Sequence, residues 1–185
     1  MGYEHRLLGG ESIMKDERDP LIIEPASPEH AQAMAALYNH YIEHTTATFE
    51  LEAVSAEEML VRLARVRSFN LPWLVAVSSE GELLGYCYAT RWRDRAAYDN
   101  SVEVTVYVAG TAHRRGVGRR LYEVLFDALR ALGKHAAIGG ITLPNDASVA
   151  LHEKMGMHKV AHFEEVGFKF GRWVDVGYWQ LTLGD

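Results

Sequence analysis

Two neighbouring features of the chain have residue types and spacing suited to chemistry. Glu103 is the lone carboxylate in the apolar, β-branched run 102–108, where an unpaired buried charge is costly and proton affinity rises. A carboxylate placed so is a candidate general base; an ion pair at an exposed strand start is the plainer alternative. Downstream, His113-Arg114-Arg115-Gly116-Val117-Gly118-Arg119-Arg120 sets two glycines among four arginines. The glycines let successive backbone N–H groups point one way. The helix that follows adds its partial positive end, and the guanidiniums add full charges. That combination binds a pyrophosphate, although a solvated basic turn or close packing would use the same residues. The dinucleotide fingerprint does not fit, because its third glycine and later acidic residue are missing.

A competing motif lies earlier. His40-Tyr41-Ile42-Glu43-His44 fits H-x-x-E-H, a zinc-peptidase signature. With nine histidines in the chain such a match arises by chance, and no separate third ligand stands out. The single cysteine, Cys87, excludes an intrachain disulfide, and its apolar surroundings make it a buried, inert thiol of a reducing compartment.

The elements that must position these residues follow from spacing. A short strand at 21–24 precedes Ser27-Pro28, an N-cap with proline at the first helical position, and a helix to about His44. A polar loop follows at 45–49. Ser55 and Glu58 make a capping box for a second helix to about Arg67. Strands are expected at 73–77, 82–92 and 102–108, the last one central. A helix over 116–132 carries Leu121, Val124, Leu125, Ala128 and Leu132 on one face and stops at Gly133. A strand at 136–143, a short helix at 145–155, and two strands at 159–169 and 173–183 complete an α+β pattern with helices on both faces of one sheet.

The 185 residues suit one domain, at 48% apolar and 24% charged. A net charge of −6 makes nucleic acid a poor partner, while local arginine clusters suit small anions. No apolar run approaches the ~20 residues that span a bilayer. The charged segment 1–20 carries no secretory hydrophobic stretch and is expected to be a mobile extension before a domain at 21–185, which implies a cytoplasmic protein with no membrane partner.

At the glycine–arginine turn the chain resembles the GCN5-related N-acetyltransferase superfamily, with His113 where that family prefers Gln or Arg. The resemblance is closer to its phosphinothricin and methionine sulfoximine or sulfone acetyltransferases. It rests on Tyr38-Asn39-His40-Tyr41, Thr45-Thr46-Ala47-Thr48-Phe49-Glu50, Ala97-Tyr98-Asp99, Val102-Glu103 with Thr105-Val106-Tyr107-Val108, Leu143-Pro144-Asn145-Asp146, Leu151-His152-Glu153, and Gly171-Arg172-Trp173 with Asp175-Val176-Gly177, which together cover nearly all of the chain from Leu21 onward.

The resemblance implies a mostly antiparallel mixed sheet of the acyl-CoA N-acyltransferase type. It implies acetyl-CoA as co-substrate, a small amino-acid-like amine as acceptor, and often a homodimer. Glu103 would be the base, and the strand would part from the next one so that the backbone of Val106, Tyr107 and Val108 meets the pantetheine arm. Arg114, Arg115, Gly116, Val117, Gly118 and Arg119 would cradle the pyrophosphate, with Asn145, also a helix cap, and Lys154, equally a solvated lysine, as further contacts. His152 stands where many relatives have a tyrosine thought to protonate the leaving thiolate; a packed helix histidine is the alternative. Phe49, Arg93, Arg95 and Tyr98 would hold the acceptor, since arginine forks match carboxylate and phosphinate groups; a solvated basic loop is the plainer reading. Two other classes stay open: a zinc hydrolase using His40, Glu43 and His44, and an acyl-CoA sensor without turnover.

Overall fold

The computed structural model describes residues 21–184; the extension expected at 1–20 lies outside them. Strand β1 (Ile22–Pro25) leads into a 3-10 turn at Pro28–His30, where the Ser27 N–H donates to His30 Nδ1 at 2.9 Å. Helix α1 (Ala31–His44) follows and buries Ala31, Met34, Ala35, Tyr38 and Ile42, one face at helical spacing. Ser55 Oγ accepts the Glu58 N–H at the start of α2 (Ala56–Ser68). The expected capping box is only half formed. The Glu58 carboxylate turns along the helix to Arg62 Nε at 3.1 Å, so an i,i+4 ion pair takes the oxygen that would have returned to Ser55.

The sheet holds β2 (Trp73–Val77), β3 (Leu83–Arg91), β4 (Ser101–Val108), β5 (Ala136–Leu143), β6 (His158–Lys169) and β7 (Arg172–Thr182) beside β1, in the order β1-β2-β3-β4-β5-β7-β6. Its pairings are antiparallel except β4 with β5. That parallel pairing joins Ser101 to Ala136, Val102 to Ala137 and Glu103 to Ile138, and goes no further. Beyond Glu103, β4 stays with β3 and β5 stays with β7, so the sheet forks.

Helices α1 and α2 cover one face, against β2, β3 and β4. Helices α3 (Val117–Ala131) and α4 (Asp146–Lys154) cover the other. Cys87 points to α3, its Sγ 3.5 Å from the Leu121 carbonyl, and burial pushes its thiol pKa far up, which makes it inert. The buried stripe of α3 differs from the expected one. It runs through Leu121, Tyr122, Leu125, Phe126 and Leu129, while Val124 and Leu132 are each 41% exposed. Two aromatic rings one turn apart bury more area than the aliphatic side chains beside them, and they set the helix's rotation. Leu125→Ala is therefore expected to cost about 2–5 kcal/mol in denaturant unfolding, against under about 1 kcal/mol for Val124→Ala. Equal costs would contradict this orientation.

Candidate functional site

The fork opens a cleft of about 850 Å³, lined by residues of β4, β5, α3, α4 and the loop after α1. Its chemistry starts with backbone groups. In β4, the Ser101 carbonyl accepts from Trp92, and Ala109 just beyond donates to Leu84; both partners belong to the β3 side. Strand alternation therefore turns the polar groups of odd-numbered residues toward β3 and those of Val104, Val106 and Val108 toward the opening. Tyr107 thus presents no backbone group to the cleft, contrary to expectation; its ring packs on Tyr38 and Tyr41. Val108 is already engaged, since Tyr41 Oη donates to its carbonyl at 2.7 Å and receives its N–H at 3.3 Å. His113 Nε2 lies 3.2 Å from the same carbonyl, so this histidine faces the strand end. Val106 remains as the expected ladder residue whose groups face the opening.

At the mouth, Gly116 has φ +78°, a left-handed conformation that favours glycine, and it starts α3. Arg114, with φ +63°, Gly116, Val117, Gly118 and Arg119 line the cleft there, so the curled turn and its cations meet as expected. Arg119 also pairs with Glu123 at 2.7 Å. Arg115 lies outside the lining, as does Lys154, which is exposed at the end of α4. Asn145 is the expected helix cap, its Oδ1 accepting the Ser148 N–H at 3.1 Å, and it lines the cleft.

Glu103 sits at the vertex, just outside the cleft's lining. Its Oε1 approaches Gly140 of β5, which does line the cleft: a Cβ there would stand 3.6 Å from it, at ordinary contact distance. Burial raises its pKa, and the nearby Arg93 guanidinium opposes that rise. Arg93 stacks on Trp92, 4.2 Å from the ring centroid, and Trp92 meets Tyr178 edge-on at 5.7 Å. Phe163 approaches the same Tyr178 at 5.7 Å, completing an aromatic wall near the carboxylate. Phe49, on the α1–α2 loop, lies against Gly167 of β6. Arg95 and Tyr98 stay exposed on the loop around the 3-10 turn Ala96–Tyr98 and do not line the cleft.

His152 is 3% exposed and lines the cleft on the α4 side. Its Nδ1 is 2.7 Å from the Ser148 carbonyl and must donate there, leaving Nε2 to accept from Tyr122 Oη at 3.1 Å. Burial lowers its pKa, so the ring is neutral at physiological pH. Sequence reading passed over Tyr41, Tyr122, Phe163 and Tyr178. The i,i+4 pair Tyr122–Phe126 within α3 was the available signal for one of them.

The rings of His40 and His44 stack at 4.7 Å, and His44 Nδ1 is 3.0 Å from the His40 carbonyl. Among the described residues no group of three His, Cys, Asp or Glu comes together to hold a metal, so the zinc-hydrolase reading is not favoured.

The acetyltransferase (GNAT) domain family matches residues 23–177. The chain is 41% identical over 167 residues to a phosphinothricin N-acetyltransferase of Streptomyces viridochromogenes, covering 90% of each protein. It is 34% identical to an L-methionine sulfoximine/L-methionine sulfone acetyltransferase of Salmonella typhimurium, covering 83% of this chain and 89% of that one. A GNAT superfamily phosphinothricin acetyltransferase of Sinorhizobium meliloti, crystallised in complex with AcCoA, superposes with a TM-score of 0.86 at 30% identity, covering 89% of each chain. The forked sheet, the glycine–arginine turn at its mouth and these likenesses agree, and the chain belongs to the GNAT family of acetyltransferases.

Proposed function

We propose that this enzyme moves the acetyl group of acetyl-CoA to the α-amine of a small amino-acid-like acceptor of the phosphinothricin, methionine sulfoximine or methionine sulfone type. Glu103 is the base in a direct transfer. The observation that carries this reading is the place of Glu103 at the vertex of the fork, beside the cleft and within the field of Arg93. The residues present fit acetyl-CoA. The backbone of Val106, beyond the last rung of the β4–β5 ladder, offers hydrogen bonds along the arm, Asn145 adds an amide, and Arg114, Gly116, Val117, Gly118 and Arg119 meet an anion at the mouth. When bound, acetyl-CoA supplies an electrophilic thioester carbonyl.

The chain's own residues do the rest. An amino acid's α-amine is mostly protonated at neutral pH, and only the neutral form attacks, so Glu103, a carboxylate whose proton affinity burial raises, takes the proton as the base. The Val106 N–H polarises the carbonyl. His152, with both nitrogens engaged, acts in this reading through Tyr122, orienting that hydroxyl beside the departing thiolate. In this reading Arg93, beside Glu103, meets the acceptor's acidic end, with Arg95 and Tyr98 on the same exposed loop outside the cleft lining, and Phe49 walls the pocket. Arg115 belongs to the pyrophosphate turn and Lys154 serves the outer phosphate in this reading, which rests for both on the family resemblance, since neither lines the cleft. Cys87, inert, speaks against a covalent acetyl-enzyme and for a reducing cytoplasm.

We place the catalytic domain at 21–185 and infer a homodimer. The β6–β7 hairpin supports it, since Val160, Phe163, Val166, Phe168, Phe170 and Trp173 are all about half exposed or more. A Phe168→Glu/Trp173→Glu variant should elute and scatter light as a monomer, whereas a wild type already monomeric at micromolar concentration would remove the dimer.

Thiol release with phosphinothricin, methionine sulfoximine, methionine sulfone and a peptide amine tests the reaction. Glu103→Gln is expected to lower turnover about 10²–10⁴-fold while acetyl-CoA binding changes by less than about 2-fold. Unchanged turnover would end the base assignment, and acetyl-CoA binding with no thiol release from any amine would instead make the protein a sensor. The pH profile carries a sign as well. Because burial raises the Glu103 pKa, kcat/KM should fall on acidification at a pH above the ordinary carboxylate range. Arg93 lowers that pKa, so Arg93→Met should move the acidic limb to higher pH; a shift downward, or none, would separate Arg93 from the base.

A further inference from the structure

The α1–α2 loop is held by a side chain from the far end of the chain. Lys169 of β6 is 2% exposed, and its Nζ donates to the Thr48 carbonyl at 2.8 Å. A lysine is almost never buried unless its charge is matched. Here burial lowers the amine's pKa, and the nearby charge of Glu50, two residues beyond Thr48, opposes that fall. Glu50 is fixed in turn by Arg62 of α2, which donates from Nη1 to Oε1 at 2.7 Å and from Nη2 to Oε2 at 3.0 Å. Tyr38 of α1 completes the frame: Oη is 2.8 Å from Thr48 Oγ1 and donates to Glu50 Oε1 at 2.9 Å.

Thr48 and Glu50 are thus pinned on either side of Phe49. The ring between them has one seat, against Gly167, where any Cβ would collide with it. Gly167 lies two residues before Lys169 on the same strand, so one short segment of β6 fixes the loop's backbone and receives its aromatic ring.

We infer that Lys169 is a positioning residue for acceptor recognition: it sets the backbone of the α1–α2 loop so that Phe49 stands as a fixed wall of the acceptor pocket. The role of Phe49 rests on the proposed function, but the clamp itself does not. Neither Lys169 nor Phe49 is in the cleft lining, which the same loop enters at Thr45, Thr46 and Ala47, so the effect of Lys169 passes through the loop. A preset wall spares the acceptor the entropy of ordering it, and the gain appears in acceptor affinity rather than in acetyl-CoA binding.

Two variants and two measurements test this. In Lys169→Met, hydrogen exchange of segment 45–55 should quicken while exchange in β4 and α3 stays near wild type, and the acceptor KM should rise about tenfold with the acetyl-CoA KM moving less than about twofold. Gly167→Ala, which displaces the Phe49 ring and leaves the lysine in place, should raise the acceptor KM in the same way. Unaltered exchange in 45–55 would overturn the clamp, as would equal rises in both KM values. If Lys169→Met fails to fold, Gly167→Ala decides alone: an unmoved acceptor KM overturns the inference. A wild type inactive on every amino-acid acceptor would count against the proposed substrate class only, because the exchange measurement reads the clamp without substrate.

Discussion

The structure turns on one pairing that stops early. β4 and β5 share a parallel ladder for three residue pairs and then part at Glu103. Buried backbone N–H and C=O groups are almost always matched, so a central strand that leaves its neighbour creates a demand for hydrogen bonds along its open edge. Tyr41 meets part of it at Val108, and the remainder, centred on Val106, faces a cleft. The same divergence fixes the other positions. It puts the last paired carboxylate at the vertex and leaves room for a glycine–arginine turn at the mouth. It also leaves β5 free to pair with β7, which brings Tyr178 and Phe163 of the hairpin beside Trp92.

The two faces of the forked sheet then do different work. On the α3–α4 face, Tyr122 and His152 form a hydrogen-bonded unit, and Gly139 is needed there because a Cβ would lie 2.6 Å from the imidazole. On the α1–α2 face, Glu103 lies in the field of Arg93, which stacks on Trp92, and Trp92 meets Tyr178. Strand alternation alone assigns these faces: Gly139 and Gly140 are neighbours in sequence, and one looks to His152 and the other to Glu103.

Local order was largely legible from the residues. Helix α3, the strands and the curled turn follow from periodicity, from Gly116 and from Gly133, because those signals act within one helical turn or one strand. Glu103 was visible as a carboxylate out of place in an apolar strand. The fork itself was not a property of any segment: β4 reads as an ordinary central strand, and only the family resemblance implied that it parts from β5. Tyr107 was misjudged for the same reason, since the side to which a residue's backbone points depends on which partner takes the ladder. Lys169 was beyond reach altogether. It meets Thr48 across 121 positions, and an exposed, mostly apolar hairpin gives no hint that one lysine in it turns inward.

Burial acts on the two protonic candidates with opposite sign and the same result. It raises the Glu103 pKa and lowers that of His152, so both are drawn toward neutrality while fixed positive charge collects at the mouth. On a chain of net charge −6, Arg114 and Arg119 thus place positive charge where the cleft opens. Arg93 acts against the drift toward neutrality at the other end: its guanidinium opposes the rise that burial gives the Glu103 pKa, and so keeps the proton affinity of the buried carboxylate in check.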